Sequence, residues 1–102
     1  MVEGRPKGPG DTSPVFEDAV IAVVRSIRPG EVMTYGEVAE VAGFGGRARG
    51  VGRILAISAE DMPWWRVVGA GSRLVSPSSD DQRRRLEDEG WAVRGNRLVS
   101  RT

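Results

Sequence analysis

The sequence predicts an α-rich α+β domain, and three observations carry that prediction. Apolar residues recur at helical spacing over residues 15–27, two short helix signatures flank a glycine-rich turn at 43–46, and two β-prone runs each break at a turn, at 69–72 and 94–96. With 102 residues the chain can bury one modest core, so a single domain over residues 15–102 is expected. A hydrophobic content of 39% and a charged content of 28% fit a globular protein. No apolar run approaches the roughly 20 residues that a membrane span needs, so no membrane partner is expected.

The chain holds neither Cys nor His. That excludes a disulfide, a thiolate nucleophile, an imidazole base and an ordinary zinc site. No metal, cofactor or catalytic residue is therefore expected. A net charge of +1 is too small to mark a nucleic-acid binder, so any DNA-binding role requires the basic residues to gather on one face. Residues 1–14 carry Gly4, Pro6, Gly8, Pro9, Gly10 and Pro14 without an apolar core segment. They read as a disordered tail and not as a signal peptide, which makes the cytoplasm the expected compartment.

In chain order, Phe16, Val20, Val23, Val24 and Ile27 form the stripe of an amphipathic helix, with Ser13 as cap, Pro14 at its first position and Pro29-Gly30 as its stop. Thr34 and Glu37 make a capping box that starts a short helix to about Ala42, ended by Gly43. A second helix is expected over 47–57, with Val51, Ile54, Leu55 and Ser58 on one face. Its other face is expected to carry small Ala48, Gly50, Gly52 and Ala56 between Arg49 and Arg53. Two interior glycines point to a close approach, either by a nucleic-acid groove or by another helix. The pair forms a helix-turn-helix pattern with the second helix in the recognition position. The runs 67–68 and 73–75 are expected to form a hairpin about 69–72. Ser79 with Gln82 reads as another capping box, opening a helix to about Glu89, and Trp91–Ala92–Val93 returns through 94–96 to Arg97–Leu98–Val99. Together these elements predict a winged helix-turn-helix-like domain with short β-hairpins.

Pro63-Trp64-Trp65-Arg66-Val67-Val68 is an unusual sequence for a plain turn. Two adjacent indoles on non-helical backbone cannot easily both face one core, so one ring is expected to line something else. Pro63 fixes its own φ and biases Met62 toward extended backbone, which predicts a rigid segment entering a strand.

This run resembles the active-site segment of the O6-alkylguanine-DNA alkyltransferases, P-C-H-R-V, with Trp64 at the position of the alkyl-accepting Cys and Trp65 at that of the His. It is similar to the alkyltransferase-like subgroup, which has Trp for the Cys, usually keeps the His, binds alkylated guanine without repairing it and hands it to nucleotide excision repair. The resemblance covers about residues 15–90, without the N-terminal domain of the full alkyltransferases. Met33-Thr34-Tyr35-Gly36-Glu37 matches the family's V-x-S/T-Y-G, which implies that Tyr35 sits near the phosphate and helps rotate the damaged nucleotide outward. Arg49-Gly50-Val51-Gly52 matches R-A-V-G, which makes Arg49 the arginine finger that fills the space left by the flipped base. The implied DNA-binding set is Thr34, Tyr35, Arg47, Ala48, Arg49, Gly50 and Arg53. The implied lesion pocket comprises Tyr35, Trp64, Trp65, the Val67 carbonyl, and Ser76 and Ser78 of a loop where the family has a Tyr-Ser pair. Arg66 is expected to anchor the loop, and Glu89-Gly90 matches the end of the catalytic relay whose Cys and His are absent here.

The resemblance implies a monomeric, non-enzymatic sensor of O6-alkylguanine in double-stranded DNA, acting by minor-groove docking and nucleotide flipping and presenting the lesion to excision-repair proteins. Flipping costs a few kcal/mol, less at a damaged pair, and an inserted guanidinium recovers part of it. The alternative is a winged helix-turn-helix regulator without lesion specificity, which should offer Asn, Gln, Arg or Lys to base edges, whereas this helix offers mostly small residues between arginines. A hydrolytic enzyme using Glu89 would turn over modified DNA. A docking module using the Trp pair alone would have no DNA affinity.

Overall fold

Helix α1 (Pro14–Ser26) buries Phe16, Val20, Ile21 and Val24, the stripe that the spacing predicts. In the computed structural model, which describes residues 14–58, 61–74 and 79–101, the helix is followed by a turn in which Gly30 adopts φ 89° and the Arg28 amide donates to the Glu31 carboxylate at 3.0 Å. Strand β1 (Met33–Thr34) then runs directly into α2 (Tyr35–Val41). Both halves of the predicted capping box form: the Thr34 amide donates to Glu37 at 2.8 Å, and the Glu37 amide donates to the Thr34 hydroxyl oxygen at 3.1 Å. Helix α3 (Ala48–Ile57) starts one residue later than expected and turns Gly50, Val51 and Ile54 inward. A helix-turn-helix pair therefore packs on α1, as predicted.

After α3 the chain makes one 3-10 turn (Trp64–Arg66) and enters β2 (Val67–Val68). The expectation for this segment is non-helical backbone entering a strand. The difference arises at its start, where the Trp64 amide bonds the Met62 carbonyl and the Arg66 amide bonds that of Pro63, closing the turn before the strand begins.

The β2 segment also departs from the expected hairpin. It pairs in parallel with β1, Met33 opposite Val67 and Thr34 opposite Val68, while the turn beyond it closes through the single bridge Gly69–Arg73. The physical reason is burial. Val67 and Val68 are each 1% exposed, and a strand covered on both faces suits a parallel crossover better than a half-solvated hairpin. Because side chains alternate, Val67 enters the core of α1, α2 and α3, while Val68 enters a second cluster with Leu74, Leu86 and Leu98. Two residues thus join the two halves of the molecule.

Helix α4 (Ser79–Asp88) is followed by β3 (Trp91–Arg94) and β4 (Arg97–Arg101), the antiparallel hairpin that the sequence predicts, with an irregularity between Ala92 and Val93. The capping box expected from Ser79 and Gln82 needs correction. Ser79 is already the first helical residue, and Gln82 is fully buried, its Nε2 donating to the carbonyls of Val67 at 2.9 Å and Trp65 at 3.2 Å. Gln82→Leu, close in volume, leaves both carbonyls without that donor. It is expected to lower stability by about 2 kcal/mol with an unchanged m-value in urea unfolding.

Candidate nucleic-acid interface

Tyr35 follows β1 directly and the Trp64–Arg66 turn precedes β2 directly, so the parallel pair holds both segments in one frame. Tyr35 is half-buried as the first residue of α2, and burial raises its phenol above the ordinary value, which keeps the hydroxyl a neutral donor. A Cβ at Gly52 of α3 would lie 4.0 Å from the Tyr35 Cζ. The ring thus lies beside α3 at Gly52 with room for a Cβ there. Thr34 accepts from Glu37 through its hydroxyl oxygen and retains its own O–H proton to donate.

Arg49 and Arg53, one turn apart on α3, are both exposed, and among the described residues neither makes a hydrogen bond or ion pair. Arg47 differs. Its guanidinium lies 5.7 Å from the ring centres of both Phe16 and Phe44, which themselves meet edge to face at 5.0 Å. It is committed first to clamping α1 against the α2–α3 turn. Ala48 is half-buried at the start of the helix. Gly50, expected on the outer face, lies on the buried one. Its burial beside Val51 and Ile54 favours the helix-packing alternative for this glycine.

The two indoles meet edge to face. Their rings are perpendicular with centres 6.1 Å apart. Trp65 packs against the second core cluster and donates Nε1–H to Glu89 at 3.1 Å, whereas Trp64 belongs to neither cluster. Glu89 is the hub of a wider network. Arg66 donates to it through Nε and Nη2, the latter at 2.6 Å, and through Nη1 to the Ile27 carbonyl at 2.9 Å, while the Gly30 amide reaches the same carboxylate at 3.4 Å. Burial alone pushes the Glu89 carboxyl up, but the hydrogen bonds from Arg66, Trp65 and Gly30 and the charge of Arg66 outweigh it and hold the group below the ordinary carboxylate value. The arginine thus ties α1, the Trp turn and the end of α4 together, the anchoring role expected of it.

The Val67 carbonyl, expected to face a base, already accepts from Gln82 in the interior, leaving one lone pair. Ser76 and Ser78 lie outside the described residues. Sequence reasoning missed Arg85, whose guanidinium sits 4.6 Å from the Trp65 ring centre and 5.8 Å from that of Trp64. Its spacing of three from Gln82 on one helix was the available signal, since such residues share a face.

A family model described as 6-O-methylguanine DNA methyltransferase, DNA binding domain, matches residues 15–91. The chain belongs to that family. This methyltransferase-type DNA-binding domain is 40% identical over 78 residues to a DNA base-flipping protein of Vibrio parahaemolyticus, covering 72% of the chain and 78% of that relative. To the DNA base-flipping protein of Escherichia coli it is 39% identical over 85 residues, covering 79% of the chain and 66% of that relative. Its fold matches that of S. pombe Atl1 in complex with damaged DNA containing O6-carboxymethylguanine, with a TM-score of 0.74, 29% identity, and 81% and 82% of the two chains covered. It also matches Mycobacterium tuberculosis OGT in complex with DNA at 31% identity and a TM-score of 0.67, covering 76% of this chain and 51% of the OGT chain. The alkyltransferase-like resemblance and the α-rich α+β fold expected from the sequence are thus both borne out. Among the described residues no helix is long and apolar enough to cross a membrane.

Proposed function

We propose that this domain recognises O6-alkylguanine in duplex DNA by rotating the damaged nucleotide out of the helix, performs no alkyl transfer, and flags the lesion for nucleotide excision repair as a cytoplasmic monomer. The observation that carries this reading is the division of labour within the Trp pair. Trp65 occupies the position of the relay imidazole but spends its only N–H on Glu89, which also accepts from Arg66. An indole nitrogen has no lone pair to accept a proton, so no base connects Glu89 to the neighbouring position. Trp64, at the position of the sulfur nucleophile, is an aromatic wall outside both core clusters. A chain without cysteine has no thiolate to accept the alkyl group.

In this reading the residues that flip the nucleotide are Arg49, Tyr35, Thr34 and Arg53. Among the described residues Arg49 has no hydrogen-bond or ion-pair partner on the exposed side of α3, the neutral Tyr35 hydroxyl and the Thr34 O–H stand at the start of α2, and Arg53 lies one turn beyond Arg49. The base-flipping relatives and the Atl1 complex with damaged DNA support the same assignment.

The test titrates the protein into two duplexes that differ only in O6-methylguanine or guanine at one position, following Trp fluorescence and anisotropy at a fixed salt concentration. The modified duplex is expected to bind more tightly and to quench the indole signal. Trp64→Ala should reduce affinity for it about tenfold, the lower part of the range for a base stacked on an aromatic ring. Equal binding of both duplexes by the wild-type protein would overturn lesion recognition and leave a general DNA-binding module.

A further inference from the structure

The C-terminal hairpin carries a second concentration of positive charge, almost all of it beyond the stretch matched by the family model. Residues 91–101 contain Arg94, Arg97 and Arg101 and no carboxylate, whereas the entire chain has a net charge of only +1, so the remainder is net acidic. Arg97 of β4 stands opposite Arg94 of β3 on one side and opposite Arg73 on the other, through a single antiparallel bridge. Residues directly opposite in adjacent strands share a face of the sheet, so the three arginines form one lateral row. The row lines a cleft of about 540 Å³ together with Gly95, Asn96 and Val99.

Like charges directly opposite one another destabilise a strand pair, and among the described residues none of the three arginines makes an ion pair. Among the described residues nothing offsets this repulsive row, and an external anion would relieve it. From these facts we infer that the cleft is a second DNA contact, which grips the sugar-phosphate backbone outside the helix-turn-helix footprint; this rests on the DNA-binding reading above. Strand spacing makes the row about 10 Å long, enough for two neighbouring phosphates of one DNA strand. A phosphodiester fits better than an acidic peptide. The lining offers guanidinium forks and a polar turn but no aromatic or deep apolar pocket to hold a peptide anchor.

The test measures duplex affinity against salt concentration for the wild-type protein, for R94Q/R97Q, and for R84Q as a control that removes one exposed charge from α4 outside the cleft. The double variant is expected to flatten the slope of log affinity against log salt by about 2, so that between 50 and 200 mM salt the wild type loses about tenfold more affinity than the variant does. Its preference for O6-methylguanine over guanine should be unchanged, because a backbone contact carries no base information. R84Q should leave the slope unchanged. An unaltered slope in R94Q/R97Q would overturn the inference, as would an equal effect of R84Q, which would reduce the row to general electrostatics. DNA affinity retained by the double variant together with loss of binding to a poly-glutamate peptide would reassign the cleft to protein carboxylates and also overturn it. Loss of lesion preference in the wild type with the slope change intact would instead sink lesion recognition and leave the backbone contact standing.

Discussion

Glu89→Ala is expected to lower the stability of the fold by about 3 kcal/mol, which for a domain of this size moves the thermal midpoint down by more than about 10 °C. The magnitude follows from what the substitution strands. Arg66 and Glu89 have side chains only 12% and 14% exposed, and removing the carboxylate leaves the guanidinium largely buried without its counter-charge. The Trp65 indole N–H and the Gly30 amide lose an acceptor at the same time. Glu89→Gln keeps the shape and part of the hydrogen bonding, so a smaller loss is expected of it. The pH dependence separates the charge from the shape. Because the folded carboxyl titrates below its ordinary value of about 4.5, its stabilisation is fully present above that value and is lost as pH falls through the folded pKa. The stability gap between wild type and Glu89→Gln should be constant at neutral pH, narrow below about pH 4.5 and close in stronger acid. Urea midpoints measured across that range decide it. A gap below about 1 kcal/mol at neutral pH would reduce the pair to an ordinary surface salt bridge.

The parts of this molecule that were legible in the sequence are those set by local rules. Periodicity placed α1, and the reciprocal bonds of Thr34 and Glu37 placed the start of α2 to the residue. Two adjacent indoles predicted that one ring would lie outside the core, and Trp64 belongs to neither core cluster, whereas the Nε1–H of Trp65 is bonded to Glu89. The pairing of β2 was not legible. Two valines look alike in a hairpin and in a parallel strand, and only tertiary burial on both faces distinguishes them. Gln82 was misread for a related reason: the signature of a cap and that of a buried amide are the same residue at the same spacing, and the outcome depends on whether unpaired carbonyls lie nearby, here those of Trp65 and Val67. Gly50 shows the ambiguity of small residues, which permit a close approach without saying what approaches.

Arg49→Ala is expected to weaken binding to an O6-methylguanine duplex about a hundredfold, near 3 kcal/mol. Among the described residues this side chain does no internal work. Arg49 is exposed and among the described residues has no hydrogen-bond or ion-pair partner, so truncation leaves the folded protein nearly as stable as before. Any lost affinity then belongs to DNA. A flipped nucleotide leaves a gap whose unstacking costs a few kcal/mol, and a planar guanidinium inserted there recovers much of it. Arg49→Lys should rescue only a small part, because an ammonium restores the charge without the flat surface that stacks on bases. Charge loss alone would change the salt slope by about 0.9 and affect both duplexes equally. Arg53→Ala, one turn along the same face, supplies that benchmark: it should weaken both duplexes to a similar extent. If Arg49→Ala behaves like Arg53→Ala, with lesion preference preserved, Arg49 is a backbone contact and the gap is filled by another group. A loss concentrated on the modified duplex, unrescued by Lys, assigns the intercalating role to Arg49.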